Sequence, residues 1–567
     1  MTTANKTTGS NAFVSSTSTE PLSLDLLQGR VEEERQYGYT KDGRKKRILL
    51  NAFDMNGIGH ISIGQWQNPE DKSSQKNKLP YWIELAKLLE KGKFNALFLA
   101  DNFGSHDVYK GSHAPAIQTG THWPLYDPFT IISAMAAVTD TLAFGVTACT
   151  TFEPPFSLAK RFSTLDHLTN GRVAWNIVTS WSDNAARAFG LDQLPEHDTR
   201  YAMAEEYLDL AYKHILVAAL AGAASAMPAG PKLTERQLWY HELPFFFAAA
   251  SIFFVNGCVG GEASDVYSRV LPRLRTQKNP WGIFGGLRLG ETVLLPDTTG
   301  TRIALHESAH QVDPSPQRTP VLFQAGMSPA GSAFAAKHAE CVFVGGPSPA
   351  IVAGNIRRTR ALAALNGRDP YDLKFFTQIT PILGVTDEDA REKLERYKQY
   401  ALGDDGLALF GGTSGIDVSK FPQDEEFPTD PENPLLKDLT VSQRNRLIAR
   451  PKGYEKWTPM ILAEYQSIGG SGVFVVGSGA TVADELERWI TEADVDGFNV
   501  GHIVVPGAWE DVIKYLTPEL ERRGWLGNGD YPVTGGTARE NLYGTPKEAH
   551  LRPSHPGFRY KWAEDQH

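Results

Sequence analysis

Three cysteines in 567 residues, Cys149, Cys258 and Cys341, are too few and too scattered for a disulfide framework. A reducing, cytoplasmic setting suits them better. There is no basic excess: the formal net charge is −10, so nothing in the balance advertises nucleic acid. No basic-then-apolar leader opens the chain, and Glu20 and Asp25 argue against a transit peptide. Runs long enough to cross a bilayer are missing as well. Ile215 to Met227 and Leu243 to Val255 fall short of the roughly 18–20 residues required and read as buried segments. No G-x-G-x-x-G opens a helix after a strand; Gly469-Gly470-Ser471-Gly472 merely precedes VFVVGSG. A nicotinamide-binding Rossmann domain is therefore not supported. His306-Glu307-Ser308-Ala309-His310 fits H-E-x-x-H, but Pro314 and Pro316 crowd the helix that motif needs and no third ligand stands out. No metal is expected, and no nucleophile–base pair is visible.

What is present is a soluble globular composition, 41% hydrophobic and 22% charged. From Leu142 to Leu210 it alternates cleanly: a buried run to Ala148, a helix from about Phe156 to Leu168, a second run at Arg172 to Thr179, and a helix from near Asp198. Such βαβα units need a parallel sheet, because a parallel strand is reached only by a crossover. Further strand candidates are Ile48–Phe53, Ala96–Ala100, Pro320–Gln324, Cys341–Val344, Leu373–Leu383 and Gly497–Val505, making eight with the two above. Eight strands alternating with helices predict an α/β fold, a (β/α)8 TIM barrel with insertions in a single large domain. Residues 1–46 read as a disordered arm ending in the solvated charge cluster Arg44-Lys45-Lys46-Arg47, 47–545 as the barrel domain, and 546–567 as a C-terminal tail.

Polar groups fall where barrels build sites, at the carboxyl ends of strands. Asp101 follows a strand directly, where a turn or cap is the plainer role. Thr147 sits at the end of its strand and suits the strand as a β-branched residue. His197 and Tyr201, four apart, share one helical face, a spacing that also serves packing. In QAGMSPAG, the residues Gly326, Met327 and Ser328 join a strand to a helix whose first N–H groups are unpaired and favour an anion. An ordinary N-cap serine is the alternative there.

Several stretches together carry a family resemblance. They are TLDHLTNGRVAWNIVTS (Thr164 to Ser180), the AARAFG after it, EHDTRY (Glu196 to Tyr201), RILLNAFDM (Arg47 to Met55), PVLFQAGMSPAG (Pro320 to Gly331) and ADVDGFNV (Ala493 to Val500). The chain resembles flavin-dependent monooxygenases of the bacterial-luciferase-like superfamily, in the branch containing nitrilotriacetate, dibenzothiophene-sulfone and long-chain-alkane monooxygenases. The resemblance implies a two-component enzyme. Reduced FMN would come from a separate NAD(P)H:flavin reductase, transiently docked or by diffusion, and O2 would oxygenate a small organic substrate through a C4a-peroxyflavin. It implies a homo-oligomer, and Asp101, Thr147, His197, Tyr201, Met327 and Ser328 as cofactor-binding residues, with no catalytic side chain assigned. A luciferase-like deazaflavin-dependent oxidoreductase and a degenerate flavin-binding protein are the other readings. From about 214 to 310 the resemblance stops, and the sequence lacks a clear amphipathic period. That stretch is an atypical insertion or, as we favour, mispredicted gene sequence, which sequencing of the transcript would decide.

Overall fold

The computed structural model describes residues 36–217 and 314–560, with 312 and without 402, 452, 471 and 528. The arm up to residue 35, Cys258, the Leu243–Val255 run, the H-E-x-x-H match and nearly all of 214–310 lie outside the described residues.

The sheet contains nine strands: β1 (Leu49–Met55), β2 (Ala96–Ala100), β3 (Ala143–Cys149), β4 (Val173–Val178), β5 (Val321–Gln324), β6 (Cys341–Phe343), β7 (Lys374–Gly384), β8 (Val473–Ser478) and β9 (Gly497–Val500). Every pairing is parallel. Strands β1 to β7 run round in chain order, and β9 slots between β7 and β1 to close the ring. All eight strands expected from the sequence are in that ring, the TIM barrel. The ninth, β8, comes from VFVVGSG and was not anticipated. β7 is long enough to serve two partners: Phe376 to Ile379 pair with β9, and Ile379 to Gly384 pair with β8 beyond it. The Val473–Val476 run is short and bounded by glycines, which on sequence reads as loop.

Side chains alternate across the wall with period two. Leu49, Phe98, Val321, Phe323 and Phe376 fill the barrel, with Phe53 and Phe343 packed on them. Leu50, Leu97, Phe144, Val146, Trp175 and Leu322 face the helical layer. Interior aromatics interlock, Phe98 with Phe343 at 4.7 Å and with Phe323 at 5.3 Å between ring centres. Gly145 on β3 makes room for this: a Cβ there would meet the Phe98 ring at 2.6 Å.

The amino-terminal end of the barrel is plugged by buried ions. Arg539, fully buried in the helix Ala538–Tyr543, pairs with Glu340 at 2.7 Å and donates to the carbonyls of Thr319 and Pro320. Arg360 and Lys46 share Asp494 and Asp496. Lys46 is only 4% exposed, so this part of the basic run is an anchor and not a solvated cluster. The segment after 545 also packs, through Arg552 on Asp372 and His555 on the His338 carbonyl. Asp166 and Arg172 of the long motif belong to this base as well. Asp166 accepts from Gln317, and Arg172 donates to the carbonyls of Ala136, Leu142 and Thr169. Conspicuous in sequence, they serve stability.

The helices that matter for the site are α1 (Phe129–Ala136), α2 (Pro155–Leu168), α3 (His197–Val217), α4 (Pro329–His338), α5 (Pro349–Leu365) and α6 (Asp404–Ser414). α6 opens an elaboration between β7 and β8 with its own apolar cluster, including Leu407, Phe410, Phe421, Phe427 and Trp457. Tyr109, from the loop after β2, belongs to that cluster and donates to Asp404 at 2.8 Å. The elaboration therefore braces the mouth of the barrel. No helix among the described residues is long and apolar enough to cross a membrane.

Candidate active site

The carboxyl ends of β2 and β3 open into a cavity of about 970 Å³, within the range of small-molecule sites. Asp101 and Thr147 both line it, so the structure brings these two together. Its walls are largely aromatic: Phe103, Phe152 and Phe189 form a cluster in which Phe152 and Phe189 stack at 4.7 Å, and Trp123 and Tyr126 complete the rim. Burial pushes the Asp101 carboxyl up to about 7, and the nearby Asp127 and Glu153 carboxylates push the same way. Near neutral pH it is poised between acid and carboxylate, able to donate as well as accept.

Thr147 is engaged already. Its hydroxyl donates to the Leu99 carbonyl at 2.8 Å and accepts from the Asn176 amide on β4 at 2.9 Å. That fixes the Asn176 side chain and leaves its Oδ1 buried without a partner. Asn176 is thus an oriented acceptor at the mouth, a role that strand position alone could suggest but not assign. After β4 the chain turns at Ser180, whose φ of 63° is left-handed, and Trp181 stacks on His106 at 5.6 Å.

Histidines line the next side of the mouth. His122 lies in the cavity wall, its Nε2 donating to the His60 carbonyl at 3.0 Å. A carbonyl can only accept, so Nε2 carries the proton and Nδ1 accepts from His106 Nε2 at 3.0 Å. Burial lowers His122 to about 4 and His106 to about 3, the latter helped by His122; both rings are neutral at pH 7. Deeper in, Asp54 accepts from Lys76 at 2.6 Å and from His502 at 2.9 Å. Burial would raise that carboxyl, but Lys76 and His502 outweigh it and hold it well below the usual range. Asp54, His60 and His502 are the one grouping among the described residues with metal-ligand chemistry in reach of one point. The Lys76 ammonium already supplies its counter-charge.

A second cluster sits at the rim beyond β4 and β5. Ser328 is the N-cap of α4, its hydroxyl accepting from Gly331 N at 3.0 Å. The Tyr201 hydroxyl accepts from Gln324 at 3.3 Å and lies against Thr179 and Ser328. A Cβ on Gly326 would stand 2.0 Å from that hydroxyl, and one on Gly331 2.8 Å from it. The two glycines of the QAGMSPAG motif are therefore the space into which Tyr201 fits. α3 is held in this position by its own ties to α4, Tyr212 to His338 at 3.0 Å and His338 to Glu205 at 3.0 Å. His197 stands at the outer edge, its ring 5.2 Å from that of Tyr201 but its Nδ1 turned to Asp198 at 2.6 Å, with 45% of the side chain exposed. Met327 presents its carbonyl to Arg358, and its sulfur accepts from Gly345 N at 3.0 Å.

The cavity holds an ionisable acid, and outside its lining, at the same carboxyl end of the barrel, Tyr201 and Ser328 meet at the start of α4. The structure brings Asp101 together with Thr147, and Tyr201 with Ser328, His197 and Met327 as a separate cluster. Comparison with known proteins identifies the class. The model of the luciferase-like monooxygenase family matches residues 61–252 and 295–496.

The chain belongs to the luciferase-like monooxygenase family.

It is 38% identical over 530 residues to the dimethyl-sulfide monooxygenase of Hyphomicrobium sulfonivorans, covering 91% of this chain and 94% of that one. It is 37% identical over 499 residues to the long-chain alkane monooxygenase of Geobacillus thermodenitrificans, covering 88% and 94%. The solved structure of DmoA from Hyphomicrobium sulfonivorans superposes with a TM-score of 0.71 at 37% identity, covering 91% and 96% of the two chains. The expected luciferase-like membership and TIM barrel therefore stand, and this is a flavin-dependent monooxygenase. The residues present fit a flavin on structural grounds. The unpaired Asn176 Oδ1 and the equally unpaired Gln324 Oε1 are acceptors that the N–H groups of a polar heterocycle would use. Gln324 and Asn176, which the resemblance does not single out as cofactor contacts, bond to Tyr201 and Thr147, which it does.

Proposed function

We propose that this monooxygenase takes FMN as its cofactor, receives it reduced from a separate NAD(P)H:flavin reductase, and uses O2 to oxygenate a small, largely apolar organic molecule. The observation that carries this reading is the turn after β5, where Tyr201, seated against Gly326 and Gly331, meets Ser328 at the start of α4. Bound reduced FMN supplies the electrons with which one atom of O2 enters the substrate and the other leaves as water. This chain's residues do the rest. Ser328 keeps its lone pair on Gly331 N, which leaves its own hydrogen to donate to a phosphate. Tyr201 closes the same pocket from α3. Asn176 Oδ1, buried without a partner, would accept from a ring N–H, and Asp101, near its midpoint at neutral pH, would hold or release a proton at its carboxyl oxygen. The aromatic wall of Phe103, Phe152 and Phe189 keeps water from the reacting groups. A cytoplasmic location and a homo-oligomeric state are proposed with the same reading.

The test combines the purified chain with FMN, NADH, a heterologous flavin reductase and a panel of alkyl sulfides, alkanes and aromatic sulfones under O2. Stoichiometric oxygenated product with one panel member is the expected result. Quantitative release of peroxide with every substrate would favour a degenerate flavin-binding protein, and tight binding of a deazaflavin in preference to FMN would overturn the cofactor.

A further inference from the structure

Arg358 reaches from α5, the helix after β6, across to the turn that precedes α4. One of its terminal nitrogens donates to the Met327 carbonyl at 3.2 Å and to the Ser332 hydroxyl at 3.2 Å. Its Nε is buried and has no partner. Among the described residues no carboxylate pairs with this guanidinium, whereas Arg360, two positions on, is neutralised by Asp494 and Asp496. A half-buried cation held only by neutral oxygens has paid part of its desolvation without a counter-charge. Its partners are the residues at the mouth of the Ser328 cradle, where the N–H groups of α4 also favour negative charge. We infer that Arg358 is the charged partner of the ligand's phosphate monoester and thereby sets selectivity for the phosphorylated flavin over the unphosphorylated one.

The Met327 carbonyl and the Ser332 hydroxyl aim the guanidinium, and the Gly345 N to Met327 sulfur contact steadies the turn that carries that carbonyl. With one terminal nitrogen engaged on Met327 and Ser332, the other is left to donate to a phosphate oxygen, and the delocalised charge stays with the fixed plane, which a lysine cannot reproduce. This assignment rests on the FMN reading above. The experiment measures dissociation constants of oxidised FMN and riboflavin by flavin fluorescence quenching, for the wild-type chain, Arg358→Gln and Arg358→Lys. Each is measured at two salt concentrations, with melting of the flavin-free proteins as the folding control. Loss of one charge-assisted contact is expected to weaken FMN about 10- to 150-fold in Arg358→Gln. Riboflavin affinity should be unchanged, Arg358→Lys should recover part of the loss, and the salt dependence of FMN binding should be smaller in Arg358→Gln. A wild-type chain that prefers FMN while Arg358→Gln keeps that preference overturns the role of Arg358 alone. Equal weakening of FMN and riboflavin does the same. A wild-type chain that binds FMN no better than riboflavin overturns the FMN reading and this inference with it.

Discussion

Asp101→Asn separates a strained acid from a structural one, and its effect on stability has a definite sign. In the unfolded chain the carboxyl titrates near 3.8, and in the folded protein burial and then Asp127 raise it to about 7. Folding therefore takes up a proton between these two values. A raised acid favours the folded state fully below the unfolded value, and that advantage is lost as pH climbs towards 7. The interval is roughly three pH units, which at 1.36 kcal/mol each sets an upper bound of about 4 kcal/mol. Partial solvent access at the cavity reduces it. Asparagine cannot ionise, so the variant escapes the cost that the wild type carries above pH 7. The assay is thermal melting of the flavin-free proteins between pH 4.5 and 8.5. The two curves should lie close together at the acid end, and the variant should gain on the wild type by several degrees at pH 8. Infrared difference spectra should show a protonated-carboxyl band, missing in Asp101→Asn, that fades with a midpoint near 7. A gap between the melting curves that is the same at every pH would refute the reasoning, as would a variant that loses ground with rising pH.

Four further outcomes follow from the geometry. Ser328→Ala removes both a helix cap, about 0.5–2 kcal/mol, and a phosphate donor, so FMN affinity should fall roughly 10- to 150-fold; unchanged selectivity over riboflavin would remove it from the phosphate site. Gly326→Ala places a Cβ 2.0 Å from the Tyr201 hydroxyl, an overpacking of about 1–3 kcal/mol. Adding Tyr201→Phe should restore part of that loss, and no recovery in melting would show the clash lies elsewhere. His197→Ala, at an exposed edge, should shift apo stability by less than about 0.5 kcal/mol, whereas Tyr201→Phe loses the Gln324 hydrogen bond, about 1 kcal/mol; both should weaken FMN, measured by quenching. Arg539→Ala strands the buried Glu340 at the opposite end of the barrel and should cost about 3–5 kcal/mol, with flavin affinity intact in the folded fraction; a large affinity change would contradict the division between base and mouth.

The sequence by itself determined the barrel. Eight apolar runs spaced by helical crossovers admit few other closures, because right-handed parallel connections leave little topological freedom. It also placed Ser328 between a strand and a helix, where a serine caps the helix start, and the structure has it there as the N-cap of α4. What it did not determine is which polar residues of a motif go to which end of a strand's surroundings. Asp166 and Arg172 lie close in sequence to Asn176, yet a strand carries its two ends to opposite faces of the barrel, one for stability and one for chemistry. Only the folded chain could bring Arg358 to Met327, His106 to His122 and Gln324 to Tyr201. Those contacts join different loops and helices, and no local periodicity records them. The same holds for the titration of Asp101: its neighbours Asp127 and Glu153 arrive from other segments. Desolvation is a property of the cavity they share, and sequence spacing alone cannot express it.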